Sequence, residues 1–223
     1  MNTQNKINIG IIGGSGYTGK ELLKILFNHP VIGTIDIYAQ SSAGNSILDI
    51  FPELNGSMDD IQIKSINNLD YAADLFFTSL PHGETLNYIP RLIAEGKTVI
   101  DIGGDYRLSS SELYKQWYGF EHTSYELLKS KVYGLADVLK DSNYNHDLIA
   151  NPGCYPTATL IPLIPIVEQF CKEIISISTV AYSGVSGAGK SLKPDLLLAA
   201  SAIAAHCPIP FALPAICPSF VRR

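Results

Sequence analysis

Short apolar runs alternate with amphipathic stretches along the first 150 residues of the chain. The runs at 7–12, 34–39, 74–80 and 97–102 have the length and composition of buried parallel strands. Apolar residues at helical spacing follow the first run, and a second helical stretch covers 84–95. Strands and helices in alternation predict an α/β fold, a Rossmann-like, doubly wound parallel sheet with right-handed crossovers.

The pattern begins again near residue 147. A strand at 148–150 leads through a glycine turn into a helical run at 155–170, and 174–182 has the β-branched and aromatic residues of a long strand. We therefore predict a nucleotide-binding domain over 1–150 and, over 151–194, the start of an α+β domain that the chain does not complete.

The last stretch differs in kind. Residues 196–221 contain no Asp, Glu, Lys or Arg, and prolines stand at positions 208, 210, 214 and 218. The length suits a transmembrane helix, but the prolines would break any helix there. We predict that 195–223 is an aberrant, disordered tail, with no membrane partner and no place in a buried sheet.

Composition excludes several classes of function. The net charge is −5 and no cluster of Lys or Arg occurs, which argues against a nucleic-acid partner. The four cysteines show neither a C-x-x-C pair nor the Cys/His spacing of a zinc site, so no metal is expected. The polar N-terminus resembles neither a signal peptide nor a transit peptide, and cytoplasmic localisation is expected.

A glycine-rich segment at 13–19 separates the first strand from the first helix. Its glycines allow a tight turn and close approach to a pyrophosphate, which the N–H groups of the helix N-terminus would bind. The alternative is an ordinary strand-to-helix turn. The predicted cofactor-binding residues of this segment are Gly13, Ser15, Gly16, Tyr17, Thr18 and Gly19.

The second strand bears on the choice of nucleotide. NAD-binding sheets commonly place Asp or Glu at the end of this strand for the ribose hydroxyls. Here no acid follows Asp36 before Gly44, and Ser41 and Ser42 stand in the turn instead. Hydroxyl groups can donate to a 2′-phosphate, which favours NADP. Alternatively, the two serines are ordinary turn residues.

A second glycine turn carries a cysteine. Cys154 follows Asn151, Pro152 and Gly153 and opens the helical run. A helix N-terminus stabilises a thiolate, and its N–H groups can bind an oxyanion. These features favour Cys154 as a nucleophile, although a lone cysteine is commonly a small buried hydrophobic residue. Cys171, at the other end of the helix, fits that description.

These motifs together resemble N-acetyl-γ-glutamyl-phosphate reductase, the NADP-dependent enzyme of arginine biosynthesis. The resemblance covers about residues 7–194, and its motifs lie at 13–19, 80–83, 101–108, 133–135, 151–157 and 183–189. It implies that the Cys154 thiolate attacks an acyl phosphate, and that NADPH reduces the resulting thioester to the semialdehyde. It also implies a homo-oligomer.

The resemblance also assigns binding residues. Further cofactor contacts would come from Pro81, Ser186 and Gly187, and substrate contacts from Arg107, Asn151 and Ser183. Arg107 could instead form a salt bridge with Asp105. His82 resembles a cofactor-lining residue rather than a base.

The family's later sheet carries a catalytic histidine in a segment that has no counterpart in this sequence. His206 lies in a different context, so the role is not transferred to it. We therefore expect a truncated or aberrant member with little turnover. Two alternatives stay open: a non-catalytic NADP-binding fragment, and a related reductase of aspartyl or aminoadipyl phosphate.

Overall fold

The computed structural model describes residues 6–138, 146–182 and 187, together with the backbone of a strand at 202–208. The chain divides into two compact units. The first comprises Met1–Gly134 and Tyr144–Asn151, and the second comprises Leu135–Asn143 and Pro152–Arg223.

The first unit is built on a parallel sheet. Its strands are β1 (Ile7–Ile12), β2 (Ile32–Ala39), β3 (Lys64–Ser65), β4 (Leu75–Thr78), β5 (Thr98–Asp101), β6 (Val132–Tyr133) and β7 (Leu148–Ala150). All seven strands form one sheet in the order β3-β2-β1-β4-β5-β7-β6, and every neighbouring pair is parallel. The predicted Rossmann-like fold class is confirmed.

Helices pack on both faces of this sheet. They are α1 (Tyr17–Leu26), α2 (Ile47–Ile50), α3 (Ile89–Ala94), α4 (Ser111–Trp117) and α5 (Tyr125–Ser130). Successive residues of a strand point to opposite faces, and Ile11 and Ile12 accordingly lie in two different core clusters. The cluster around Ile11 includes Leu23 of α1, whereas the cluster around Ile12 includes Leu92 of α3 and Tyr114 of α4.

The prediction of a single helix over 84–95 is wrong, because the structure has two elements there. The chain forms a 3₁₀ turn over Glu84–Asn87 and then α3, with Tyr88 between them. Pro90 lies in the first turn of α3, where its missing N–H costs nothing and its fixed φ favours a new helix start. The proline therefore splits the stretch into two elements.

The second unit contains α6 (Cys154–Phe170) and an antiparallel pair, β8 (Ser176–Tyr182) and β9 (Ala202–Pro208). The pair runs in unbroken register from Ser176 opposite Pro208 to Tyr182 opposite Ala202. The prediction of a disordered tail is therefore wrong for 202–208, which pair with β8 as a strand. The rest of the tail lies outside the described residues.

The predicted absence of a membrane span can be examined only in the described part of the chain. There, no helix combines the length and the apolar character needed to cross a bilayer.

Candidate functional site

The sheet order defines a crevice in the first unit. The chain leaves β1 toward β2 and β3 on one side and then returns to β4 on the other, so the order reverses between β1 and β4. Ligands of doubly wound sheets bind outside the carboxyl ends of the strands at such a point. The glycine turn, residues 13–19, follows β1 and therefore lies at this crevice.

At three positions of the glycine turn, glycine is present for different structural reasons. Gly13 has φ of +86°, and a Cβ there would lie 2.2 Å from the Ser79 carbonyl oxygen. A Cβ on Gly19 would lie 2.2 Å from the Gly14 carbonyl oxygen, so this glycine lets α1 pack on the turn. A Cβ on Gly16 would meet only the Gly13 oxygen, at 3.6 Å. The fold therefore requires Gly13 and Gly19, whereas the absence of a side chain at Gly16 keeps the surface of the turn open.

The start of α1 presents backbone groups at the same place. Gly16 is the N-cap residue, and no side chain caps the helix. The first N–H groups of a helix have no intrahelical acceptor and attract anions. Tyr17 and Thr18 are exposed and Ser15 is half-buried. The glycine turn thus has the form of an anion-binding helix N-terminus.

The turn after β2 carries the two predicted serines. Ser41 is exposed, and the buried Oγ of Ser42 has no hydrogen-bond partner among the described residues. Asp36, the acid of β2, is paired with Lys64 at 2.9 Å. The Asp36 carboxylate is the main cause of a raised pKa at Lys64. The carboxylate of Asp36 is therefore neutralised by the Lys64 ammonium.

The turn after β4 lies beside the glycine turn. Pro81 and His82 are exposed, and Gly83 has φ of +87°. The buried carboxylate of Asp105 accepts hydrogen bonds from the N–H groups of Gly83 (2.8 Å) and Thr85 (3.1 Å) and from the Thr85 hydroxyl (2.7 Å). Asp105 is therefore bonded to this turn.

Arg107 does not form the salt bridge with Asp105 that one interpretation of the sequence suggests. Its Nε donates to the carbonyl oxygen of Asn151 at 2.9 Å, and its Nη2 donates to that of Ile102 at 2.7 Å. Two of its five N–H donors are thereby used on the backbone after β5 and β7. The Asn151 N–H donates to the Asp101 carbonyl oxygen at 2.8 Å, so Asn151 is fixed at both backbone groups.

Asp101, the last residue of β5, is fully buried. Its Oδ1 accepts from the Thr78 hydroxyl at 2.7 Å and from the Gly103 N–H at 3.0 Å. Its Oδ2 has no partner among the described residues. Burial raises the pKa of Asp101 to about 6, because the charged form lacks solvation.

The second unit presents Cys154 to solvent at the first position of α6. Gly153 is the N-cap residue, and no side chain caps this helix either. A groove of about 660 Å³ between α6 and β8 includes Cys154, Tyr155 and Tyr182 in its lining. Cys171 is half-buried rather than buried as predicted, because it lies at the C-cap of α6. Ser183 and Ser186 lie outside the described residues, and Gly187 is exposed.

The sequence does not indicate the hydrogen bonds that Gly83 and Thr85 donate to Asp105, or the partners of Asp101. Residues 101–108 form one of the family motifs, but no local pattern indicates a hydrogen bond across 20 residues. A buried aspartate just after a parallel strand is the one signal that could have drawn attention to these residues.

Family models cover both units. The NAD binding domain of semialdehyde dehydrogenase matches residues 8–146, and the semialdehyde dehydrogenase dimerisation domain matches residues 154–206. The second match extends past residue 194, where the resemblance was predicted to end. Residues 202–206 of β9 therefore belong to the matched dimerisation domain.

Two curated relatives with the same name show the extent of the similarity. N-acetyl-gamma-glutamyl-phosphate reductase of Pelobacter propionicus is 41% identical over 193 residues, covering 86% of this chain and 55% of the relative. The enzyme of the same name from Acetivibrio thermocellus is 39% identical and covers 85% of this chain and 54% of the relative. The chain thus spans about half the length of the curated relatives it matches, and the predicted resemblance is confirmed.

Solved structures agree on the fold. Aspartate semialdehyde dehydrogenase II of Vibrio cholerae, complexed with ASA, has a TM-score of 0.61 at 19% identity and covers 84% of this chain and 49% of its own. The Candida albicans aspartate semialdehyde dehydrogenase with NADP has a TM-score of 0.60 at 18% identity, covering 82% and 52%. With a matching nucleotide-domain model over residues 8–146, this chain belongs to the semialdehyde dehydrogenase family.

Proposed function

We propose that the chain carries the nucleotide-binding and thiol parts of an NADPH-dependent reductase of N-acetyl-γ-glutamyl phosphate. The observation that supports this most directly is the 41% sequence identity to a reductase of that name over 86% of this chain. The two family-model matches, over residues 8–146 and 154–206, include the glycine turn and Cys154. The geometry of the first unit supports nucleotide binding, and that of the second unit supports thiol chemistry.

The glycine turn fits a dinucleotide. Among the described residues, a Cβ on Gly16 would contact only the Gly13 oxygen, at 3.6 Å, an ordinary van der Waals distance that allows a side chain. The close approach of a pyrophosphate gives a reason for glycine at this position, because a Cβ there would stand between the ligand and the N–H groups of α1. Ser15, Tyr17 and Thr18 complete the proposed contact surface.

NADP suits the end of β2 better than NAD. Asp36 is paired with Lys64, and no acid follows it before Gly44. An unpaired carboxylate there would repel a 2′-phosphate, whereas the hydroxyls of Ser41 and Ser42 can donate to it. Ser41 is exposed, so its hydroxyl is accessible to such a phosphate.

Cys154 supplies the nucleophile of the proposed reaction. Its thiolate attacks the carbonyl carbon of the acyl phosphate, the S–C bond forms, and phosphate leaves with the electron pair of the broken C–O bond. The uncapped N–H groups at the start of α6 can bind the oxyanion of the tetrahedral intermediate. Bound NADPH would supply the hydride that reduces the thioester.

Arg107, Asn151 and Ser183 remain the proposed substrate contacts. The two backbone carbonyls hold the Arg107 guanidinium in place, which favours binding of an anionic substrate group by its other N–H donors. We also propose that Pro81, Ser186 and Gly187 contact the cofactor. The match to a dimerisation domain supports a homo-oligomer, which sedimentation velocity can test.

The nucleotide assignment is tested by Gly16→Val. The branched side chain should weaken NADPH binding by more than about 100-fold, ~2.8 kcal/mol, while thermal unfolding stays close to that of the wild type. Lys24→Val is the matched control, since it places the same side chain at an exposed position later in α1. Calorimetry that finds equal NADPH affinity for Gly16→Val and the wild type rules out this site. Titration with NADH in parallel tests the preference for NADP.

The thiol chemistry is tested by phosphate release. The wild-type chain mixed with N-acetyl-γ-glutamyl phosphate should release phosphate in a burst that Cys154→Ser abolishes and Cys171→Ser retains. NADPH binding without a burst would instead support a non-catalytic fragment. A larger burst with aspartyl or aminoadipyl phosphate would assign the chain to a related reductase.

A further inference from the structure

Asp105 has a fully buried carboxylate whose three hydrogen bonds all come from one turn, Pro81–Thr85, in which Pro81 and His82 are exposed. Its Oδ1 accepts from the Gly83 N–H, and its Oδ2 accepts from both the N–H and the hydroxyl of Thr85. Three donors on one carboxylate are enough to compensate for the burial of its charge. The Pro81–Thr85 turn is thereby attached to the segment after β5.

The turn requires an acceptor from elsewhere in the chain. Gly83 is the N-cap residue of the 3₁₀ turn Glu84–Asn87, has φ of +87°, and brings no side chain to cap it. Asp and Asn usually perform this role at the N-cap itself, where negative charge is also favoured. Asp105 provides that acceptor from about 20 residues away.

The backbone of Asp105 is also hydrogen-bonded, to a buried histidine. The His122 Nε2 lies 2.8 Å from the Asp105 carbonyl oxygen, which can only accept, so the proton is on Nε2. The Ser124 N–H donates to Nδ1 at 3.2 Å, which fixes the same tautomer. His122 is fully buried against the rings of Tyr106 (centroids 5.1 Å apart) and Tyr114 (4.7 Å). The carbonyl oxygen of Asp105 therefore accepts a hydrogen bond from a buried, neutral imidazole.

The turn so fixed lies at the nucleotide crevice. A Cβ on Gly13 would lie 2.2 Å from the Ser79 oxygen and 3.1 Å from the Leu80 side chain, so the glycine turn and the residues before Pro81 are in close contact. His82 packs edge-on against Tyr118 at 4.8 Å. Gly104 leaves room for both rings, since a Cβ there would lie 2.7 Å from His82 Nδ1.

We propose that Asp105 is a positioning residue for the cofactor: it holds the Pro81–Thr85 turn in the shape that Pro81 and His82 present to the bound dinucleotide. The inference rests on the proposed function, because it assigns the ligand of the crevice as NADP. Asp105 touches neither cofactor nor substrate and acts through Gly83 and Thr85.

The test compares NADPH dissociation constants. Asp105→Asn puts an amide donor where a carboxylate oxygen now accepts, and should raise the constant about tenfold. Thr85→Val removes only the hydroxyl bond and should raise it about threefold, whereas Thr85→Ser retains a hydroxyl and should stay within about twofold of the wild type. Asp74→Asn is the matched control, because Asp74 also accepts from a backbone N–H, that of Asn8, but at the amino end of β4.

Amide hydrogen exchange provides a readout that does not depend on the cofactor. The N–H groups of Gly83 and Thr85 should exchange faster in Asp105→Asn than in the wild type, while the N–H of Asn8 keeps its rate. A wild-type chain that fails to bind NADPH overturns the proposed function. Equal NADPH affinity in the wild type, Asp105→Asn and Thr85→Val overturns the positioning role alone. If Asp105→Asn fails to fold, the Thr85→Val and Thr85→Ser pair decides the matter.

Discussion

Two strand-to-helix junctions carry the candidate chemistry, and the helices that follow them are packed very differently. The glycine turn leads into α1, whose Leu23 and Leu26 are buried in the core of the first unit. The junction after β7 leads into α6, where Ile164 and Val167 are the buried residues among 17. Ile166, on the same helix, is 49% exposed.

The first unit has buried core clusters on both faces of its sheet, whereas in the described part of the second unit α6 leaves large apolar side chains exposed. Helix α1 is amphipathic, and its polar residues Lys20 and Lys24 pair with Glu53 and Glu21. Helix α6 is apolar on most sides, a pattern typical of helices that are covered all round. Among the described residues, Ile164 and Val167 are buried, whereas most other apolar side chains of α6 face the groove or solvent. Equivalent changes in the two helices should therefore have unequal effects.

The largest effect is expected from Gly19→Ala. The new Cβ would lie 2.2 Å from the Gly14 carbonyl oxygen, so α1 or the glycine turn must move. We expect a loss of at least ~4 kcal/mol in the free energy of unfolding, measured by urea denaturation. Gly16→Ala is the control and should change it by less than ~0.5 kcal/mol. If both variants unfold at the same urea concentration, the assignment of separate roles to these glycines is wrong.

The packing of the two helices is compared by truncating one side chain in each. Leu23→Ala should cost about 2–5 kcal/mol, because it leaves a cavity in a buried cluster. Ile166→Ala should cost less than ~1 kcal/mol, because half of that side chain is already in water. Equal losses in urea denaturation would mean that Ile166 is covered in solution, and sedimentation of the same samples would show whether a second chain covers it.

The sequence was sufficient for the long, apolar elements of the fold. Strands β1, β2, β4, β5 and β7 were predicted because each contains a short apolar run beside turn or helix signals in the sequence. The two-residue strands β3 and β6 were not, because Lys64–Ser65 and Val132–Tyr133 are too short to show any period. Helices α4 and α5 were also missed, since each covers fewer than two full turns.

In the candidate site, too, local features could be predicted from the sequence and contacts between distant residues could not. The glycine turn and Cys154 could be predicted because their chemistry is local: glycines between a strand and a helix, and a thiol at a helix start. The hydrogen bonds that join Asp105 to Gly83 and Thr85, and Arg107 to Asn151, could not, because they connect residues 20 to 44 positions apart that only the sheet order brings together. Likewise, nothing in the sequence indicates that Oδ2 of Asp101 has no partner in the described part of the chain.

A smaller effect is expected from Asp101→Asn, seen as a change in pH dependence. Asp101 has a pKa of about 6 in the folded chain, above its value in the unfolded chain. The folded state therefore binds the extra proton between about pH 4 and pH 6, so the free energy of unfolding falls as pH rises through that range. The fall is at most roughly 3 kcal/mol.

Asparagine cannot titrate, so Asp101→Asn should remove this fall. Burial lowers the pKa of His122, which gives stability the opposite slope, lost as pH falls from about 6.5. That contribution is common to both proteins and cancels in the difference between them. Urea denaturation at about pH 4.5 and pH 7 measures the difference. Identical pH dependence in the two proteins would show that Asp101 is solvated in the folded state.

The smallest expected difference concerns the two thiols of α6. Cys154 is exposed and Cys171 is half-buried, so iodoacetamide should label Cys154 faster, by about fivefold, in the folded chain. Peptide mapping after short exposure distinguishes them, and labelling in urea should remove the difference, because both thiols are then equally accessible. Cys154→Ser should abolish the fast phase, whereas Cys171→Ser should keep it. Faster labelling of Cys171 would mean that the start of α6 is covered and its end is open, the reverse of the described packing. Cys154 could then not act as the nucleophile.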